Sequence, residues 1–256
     1  MVATGVPLAV GAVLGIWLTR ALLRGRGRPG PAALRAFWAG MGPTMVGLAG
    51  IAVLINVDVI AAKINIGGQE AGYFGAASVI AKSLMLVPQA LTTVLLPRVA
   101  ERRARDEATG SLLAIGVLLI FAAGLVAIVL SIPLEGPITT ITFGATYEPA
   151  AQLVLPFFAA TTLLGALLVL VNHHVARGDN RFSWVVGALA VMQLALLATA
   201  GNTAGRIIAI DAFVAAVGLV AHEVLYFRSG DSMLRGAVGE ARALMARIRT
   251  ARKAGA

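Results

Sequence analysis

Residues 111–132 read SLLAIGVLLIFAAGLVAIVLSI, with no charged side chain anywhere in the run. At 1.5 Å per residue these 22 residues make a helix about 33 Å long, enough to cross a hydrocarbon core about 30 Å thick. A surface helix of a soluble domain keeps one polar face, and this run has none. It therefore reads as a membrane span. Six further segments meet the same length and apolarity test, at 2–19, 36–61, 74–96, 149–171, 183–200 and 207–227. Each is near-continuously apolar, so side-chain alternation carries little information about faces.

The composition of all 256 residues agrees. Apolar residues make up 59% and charged residues 13%, about half the usual charged share of a soluble domain. Mean hydropathy is +0.87. These values exclude an ordinary soluble enzyme, a disordered chain and a small stapled secreted domain. There is no cysteine, which removes disulfides, thiolate metal sites and cysteine nucleophiles. The net charge of +9 would suggest nucleic-acid binding in a soluble protein. The positions of the charges argue against that. Eighteen of the 21 basic residues fall after spans one, three, five and seven, for example Arg20 to Arg35, Arg98 to Arg105, Arg177 and Arg181, and Arg228 to Lys253. The opposite side carries only Lys63 and Arg206, and Lys82 lies within a span. The positive-inside rule then predicts an outside N-terminus and a cytoplasmic C-terminus.

The aromatic residues fit the same map. Trp17, Trp38, Trp184 and Tyr226 fall at the basic ends of their spans, and Tyr73 and Tyr147 at the other ends. This is the interfacial belt expected of amphipathic rings. No basic segment precedes the apolar run 2–19, so it does not read as a standard signal peptide. In the tail, Leu234, Val238, Ala241, Met245 and Ile248 recur at helical spacing, with Arg235, Arg242, Arg249 and Lys253 around them. The pattern predicts a basic amphipathic helix favouring an anionic membrane surface; a solvated tail is the alternative.

Two stretches carry a family resemblance. Residues 56–101 hold Asp58 late in a span, then Glu70-Ala71-Gly72-Tyr73 in a short loop, then Leu96-Pro97-Arg98 at the end of the next span. Residues 143–158 hold Gly144, Tyr147, Pro149, Ala150 and Ala151 ahead of another span. This ordered set resembles the polysaccharide-flippase branch of the multidrug/oligosaccharidyl-lipid/polysaccharide exporter superfamily. Members of that family have two six-helix lobes. The resemblance therefore implies an all-α, polytopic bundle of seven transmembrane helices, one plus a six-helix lobe. Residues 1–19 correspond to helix six of a full flippase, 20–35 to the basic linker between lobes, 36–228 to the C-terminal lobe, and 229–256 to a basic amphipathic tail. The first five helices of a full transporter have no counterpart, so a cavity between lobes would need self-association or a missing N-terminal lobe.

Charged side chains inside a membrane cost about 2.5–3.5 kcal/mol at the helix centre and so need partners or water. Asp58, Lys82 and Asp211 lie at related depths in their expected spans. The expectation is that Asp58 faces Lys82, with Asp211 and Asn56 lining the same polar pocket. The functional reading is a hydrophilic substrate path, and the bland one is an ion pair that locks helix packing. Gln89 is a further mid-membrane polar group. Pro43 and Pro88 are candidate hinges or static kinks, and Thr92 and Thr93 are placed to cap backbone freed by Pro88. Arg98, Arg102 and Arg103 could hold a pyrophosphate at the inner mouth, or simply set topology. His173-His174 reads best as a helix end at the solvated cytoplasmic interface rather than a metal site, and His222-Glu223 as a solvated interfacial position, with a proton relay as the alternative. Gly40, Gly42, Gly47 and Gly50, among other small residues, could allow close contacts with a partner, and fit packing within the lobe equally well. The spans hold no phosphate loop, no nucleophile elbow and no paired catalytic carboxylates, so no enzyme and no cofactor is expected.

The resemblance implies movement of a lipid-linked saccharide across the cytoplasmic membrane, with membrane lipids as the other partners and no nucleic acid. A drug or cation antiporter of the same superfamily, and a partner-dependent module that does not transport, remain as alternatives.

Overall fold

The computed structural model describes residues 30–105, 109–229, 231–236, 238–239 and 242. The expected span 2–19, Trp17 and the end of the tail lie outside the described residues. The described residues form seven α-helices and no strand. They are α1 (Pro31–Asn65), α2 (Gly68–Lys82), α3 (Leu86–Ala104), α4 (Gly110–Phe143), α5 (Ala151–Arg177), α6 (Arg181–Ala200) and α7 (Ala204–Tyr226). A 3₁₀ turn at Ser83–Met85 joins α2 to α3, and another at Ala145–Ala150 leads into α5. Together they make six segments long and apolar enough to span a membrane. The chain is thus an all-α, multi-pass membrane protein.

The helices overrun the expected spans because apolarity marks the bilayer crossing and not the ends of the helix. α4 continues eleven residues beyond Ile132, through Pro133 and Pro137. Thr139 and Thr140 donate to the Glu135 and Gly136 carbonyls at 2.6 and 3.0 Å, one turn back in the same helix and not at the Val129 and Pro133 carbonyls that the prolines leave without a backbone donor. The helix stops at Gly144, whose φ of 94° suits glycine. Between α1 and α2 the chain reverses within a few residues, with Gly67 and Gly68 both at positive φ. Asn65 ties that corner down by donating to the Leu197 carbonyl of α6 at 2.9 Å.

Two compact units divide the chain between Met41 and Gly42. In the first, the described residues are the opening turns of α1, where the Phe37 and Trp38 rings meet edge to face at 5.6 Å. In the second, α5 is the axial helix. Its apolar stretch is 72% buried, against 24–44% for the other spans, and it packs on α4, α7, α3 and α2. Small residues set the approach distances. A Cβ at Gly124 of α4 would collide with Thr162 of α5. Of the four glycines expected to allow close contacts, Gly47 and Gly50 of α1 do so, since a Cβ there would meet Ser183 and the Val186 backbone of α6 at 2.7 and 3.0 Å, whereas Gly40 has open space around it. Gly42 borders open space.

The prolines behave differently from one another. Pro88 lacks the N–H that would bond the Leu84 carbonyl, and the helix opens into the 3₁₀ turn at Ser83–Met85 just ahead of it. Thr92 and Thr93 do not cap that freed carbonyl. Their hydroxyls donate to the carbonyls of Pro88 and Gln89 at 2.7 and 3.0 Å. Side chains four residues on can reach only their own preceding turn. Pro43 leaves α1 unbroken.

Candidate functional site

Two buried polar clusters lie at opposite ends of the second unit. The first joins α1, α2, α6 and α7. Lys82 donates to both carboxylate oxygens of Asp58, each at 2.7 Å. The Asp58 side chain is 1% exposed, and that of Lys82 is 17% exposed, so the pair sits at the margin of the bundle. α2 begins at Gly68, earlier than the expected span, which places the Lys82 backbone deeper than that of Asp58. Side chains on a helix lean toward its N-terminus, and the four-carbon stem of lysine covers the remaining distance.

Asp211, buried on α7, lies beside Asp58. Gln193 of α6 completes the group. Its amide donates to Asp211 Oδ1 at 2.7 Å and to the Leu54 carbonyl of α1 at 3.2 Å. Sequence reasoning missed Gln193. The rule that singled out Gln89, a polar group deep in an apolar span, would have found it. The cluster holds two carboxyl groups and one ammonium, and both Asp211 Oδ2 and Gln193 Oε1 are buried without a hydrogen-bond partner. No trio of His, Asp or Glu side chains able to hold a metal occurs among the described residues.

Other expected site residues stand elsewhere. Asn56 does not line the Asp58 pocket. Two residues along a helix point to nearly opposite sides, and the exposed Asn56 amide donates to its own helix at Ala52 O, 2.8 Å away. Gln89 is also exposed, one residue beyond the break at Pro88. Arg98 is exposed, and Arg102 donates to Ser111 Oγ at the start of α4 at 3.4 Å. The side chain of Arg103 lies outside the described residues.

The second cluster corrects the reading of the histidines as solvated. His173, His174 and His222 are 5%, 1% and 0% exposed. His174 and His222 bring their Nε2 atoms to 2.9 Å, so one ring donates to the other. The Tyr226 ring stacks on both, with centroids at 4.2 and 4.9 Å, and Phe182 closes the remaining side. Aromatic cover explains why an end-of-helix position is dry. Tyr226 donates to Asp179 Oδ2 at 2.8 Å, and His174 Nδ1 lies 3.9 Å from the same oxygen. That carboxylate favours the proton on His174 Nδ1, which makes His174 Nε2 the acceptor and His222 the donor. Burial raises the Asp179 carboxyl, but the Arg181 amide and the Tyr226 hydroxyl outweigh it and hold the group below its ordinary range.

Asp231, just beyond α7, is the second carboxylate here. It pairs with Arg177, lies 3.5 Å from His173 Nε2, and accepts from Thr109 Oγ1 at 3.4 Å. Burial pushes its carboxyl up. Contact with His173 and the Arg177 charge prevail and hold it below the usual carboxylate range. Sequence spacing could not reveal this group, because Asp231 and His173 are 58 residues apart.

No protein-family model, no curated protein and no solved structure matches the chain.

Proposed function

We propose that the chain is a transporter lobe of the polysaccharide-flippase type, working in the cytoplasmic membrane on lipid-linked saccharides. The observation that carries this reading is the Asp58–Lys82–Asp211–Gln193 group. A bundle that needed only packing would gain nothing from two carboxyl groups, one ammonium and two unsatisfied polar atoms in hydrocarbon. A transporter gains a site whose surplus acid one proton or one monovalent cation can balance. Lys82 lies at the margin of that site, and Asn56 and Gln89 are exposed polar groups at span depth. Such groups suit an aqueous path or a second lobe better than lipid. The charge sorting supports the finer topology, seven spans with the N-terminus outside and the basic tail in the cytoplasm.

The competing reading is a module whose ion pair only fixes helix packing. The two 2.7 Å contacts and full burial of Asp58 favour it. Flipping separates the two. The chain, alone and together with candidate partner lobes, is reconstituted in vesicles holding a fluorescent polyprenyl-linked saccharide, and loss of signal to an external quencher is followed. Flipping that depends on Lys82 and Asp211 supports transport. Native membranes in which the protein is abundant yet no combination moves the lipid would leave the packing role.

A further inference from the structure

The tail does not leave the bundle freely. Asp231 is fastened by Arg177 and Thr109, with His173 Nε2 3.5 Å away. Ser232 donates to Glu223 Oε1, and the Met233 backbone N–H donates to Glu223 Oε2 at 3.1 Å. Ser232 Oγ in turn accepts from the Arg235 backbone N–H at 3.2 Å, the bond of a helix N-cap. Gly236 then lies flush on the start of α4. A Cβ there would stand 2.9 Å from both Ala114 Cβ and the Gly110 carbonyl oxygen. The first turn of the tail thus has a fixed orientation.

That orientation presents an apolar strip. Phe227, Leu234 and Val238 are 48%, 60% and 49% exposed. The Arg235 guanidinium sits 4.8 Å over the Phe227 ring, which leaves its N–H donors available. Gly239 and the exposed Arg242 complete the recess, and Arg228 is exposed nearby. Among the described residues the neighbouring carboxylates, Glu223 and Asp231, are occupied by the fastening contacts, so the described surface left open is cationic. Its place is at the membrane boundary, at the end of a bilayer-spanning helix.

We propose that this surface is a built docking site for an anionic phospholipid. An acyl chain would lie on Phe227, Leu234 and Val238, and the headgroup phosphate would face the Arg235 and Arg242 guanidinium groups. Guanidinium donors match phosphate oxygens in pairs, and an apolar strip edged by arginine suits the boundary between headgroups and acyl chains. Charge complementarity selects an anionic lipid over a zwitterionic one. The fastening distinguishes this site from a loose basic tail, whose affinity would follow charge alone.

The test uses the full chain in zwitterionic detergent, titrated with phosphatidylglycerol or phosphatidylcholine and read by native mass spectrometry. Phosphatidylglycerol is expected to bind more tightly. R235Q/R242Q should weaken it roughly 25-fold, at about fivefold for each arginine. D231N/S232A keeps both arginines but loosens the fastening, and should also lose affinity. Leu234→Ser should weaken binding without altering charge. Unchanged helicity by circular dichroism identifies variants that remain folded. Equal affinity for the two lipids, an unaffected R235Q/R242Q variant, full affinity in a folded D231N/S232A variant, or equal occupancy by inorganic phosphate would each overturn the proposal.

Discussion

Lys82→Met should destabilise the protein more than Asp58→Asn, and the double substitution should cost less than the two single ones combined. The asymmetry follows from Asp211. Removing the ammonium leaves two buried carboxyl groups beside each other and no cation between them. Breaking a buried pair in this way costs about 3–5 kcal/mol. Removing the Asp58 charge leaves Lys82 with Asp211 as a second partner, and its 17% exposure allows some solvation. That loss should be about 1–2 kcal/mol. In the double variant the amide introduced at position 58 can donate to Asp211, and about 1–2 kcal/mol is expected again. The pairwise coupling is then about 3–5 kcal/mol. Titration with sodium dodecyl sulfate in mixed micelles, followed by fluorescence of the three tryptophans, measures each step. Strictly additive losses, or a Lys82→Met variant milder than Asp58→Asn, would refute the geometry argued for this cluster.

Three further outcomes follow from particular contacts. Gly50→Ala should lower stability by about 1–3 kcal/mol, because its Cβ would meet the Val186 backbone, whereas Gly42→Ala should be close to neutral; the same titration reads both. The Asp231 carboxyl is held low in the folded chain, so its contribution to tail docking is present above its ordinary value near 4 and fades as pH falls through the lowered one. The chain has no cysteine, so a single spin label at Val238→Cys reports this directly: it should stay immobile from neutral pH down through about 4 and gain mobility only as pH falls through the lowered carboxyl value. Pro88→Ala should restore a donor to the Leu84 carbonyl and slow amide exchange at Ser83–Met85; if the break is a hinge, flipping falls while stability holds or rises.

What was legible in the sequence follows from which forces act locally. Apolar runs about 20 residues long state a bilayer crossing directly, so the class of fold and six of the crossings could be read. Asp58 and Lys82 could be paired because both are charges in hydrocarbon and their spans are consecutive and antiparallel. Helix ends could not be read, since Pro133 and Pro137 are carried within α4 and the stop is the positive φ of Gly144. Asn56 was misplaced for a related reason. Depth along a span is visible in sequence, whereas rotation about it is fixed by packing, and near-uniform apolarity erases the amphipathic signal that would reveal it. The histidines went astray because their environment is largely tertiary: His173 and His174 at the end of α5 meet Phe182 from α6, and Tyr226 and Asp231 from the end of α7 and just beyond it.

α7 connects the two clusters. Asp211 and His222 are 11 residues apart, which returns the helix to nearly the same face about 16 Å further along. Between them that face presents Val214, Ala215 and Gly218, all buried. A Cβ at Gly218 would stand 2.8 Å from Leu189 and 3.0 Å from Leu167, so leucines fill the space the glycine leaves. One stripe of α7 is therefore polar at both ends and dry in the middle, and the described side chains offer no hydrogen-bonded route between the clusters. Under the proposed transport reading, the acidic group would exchange charge on its own side of the bilayer, and the histidines and the fastened tail would answer to the other. If the chain transports, alternation between sides would have to come from helix movement, and the leucine-packed Gly218 is where α7 would have to move against α5 and α6.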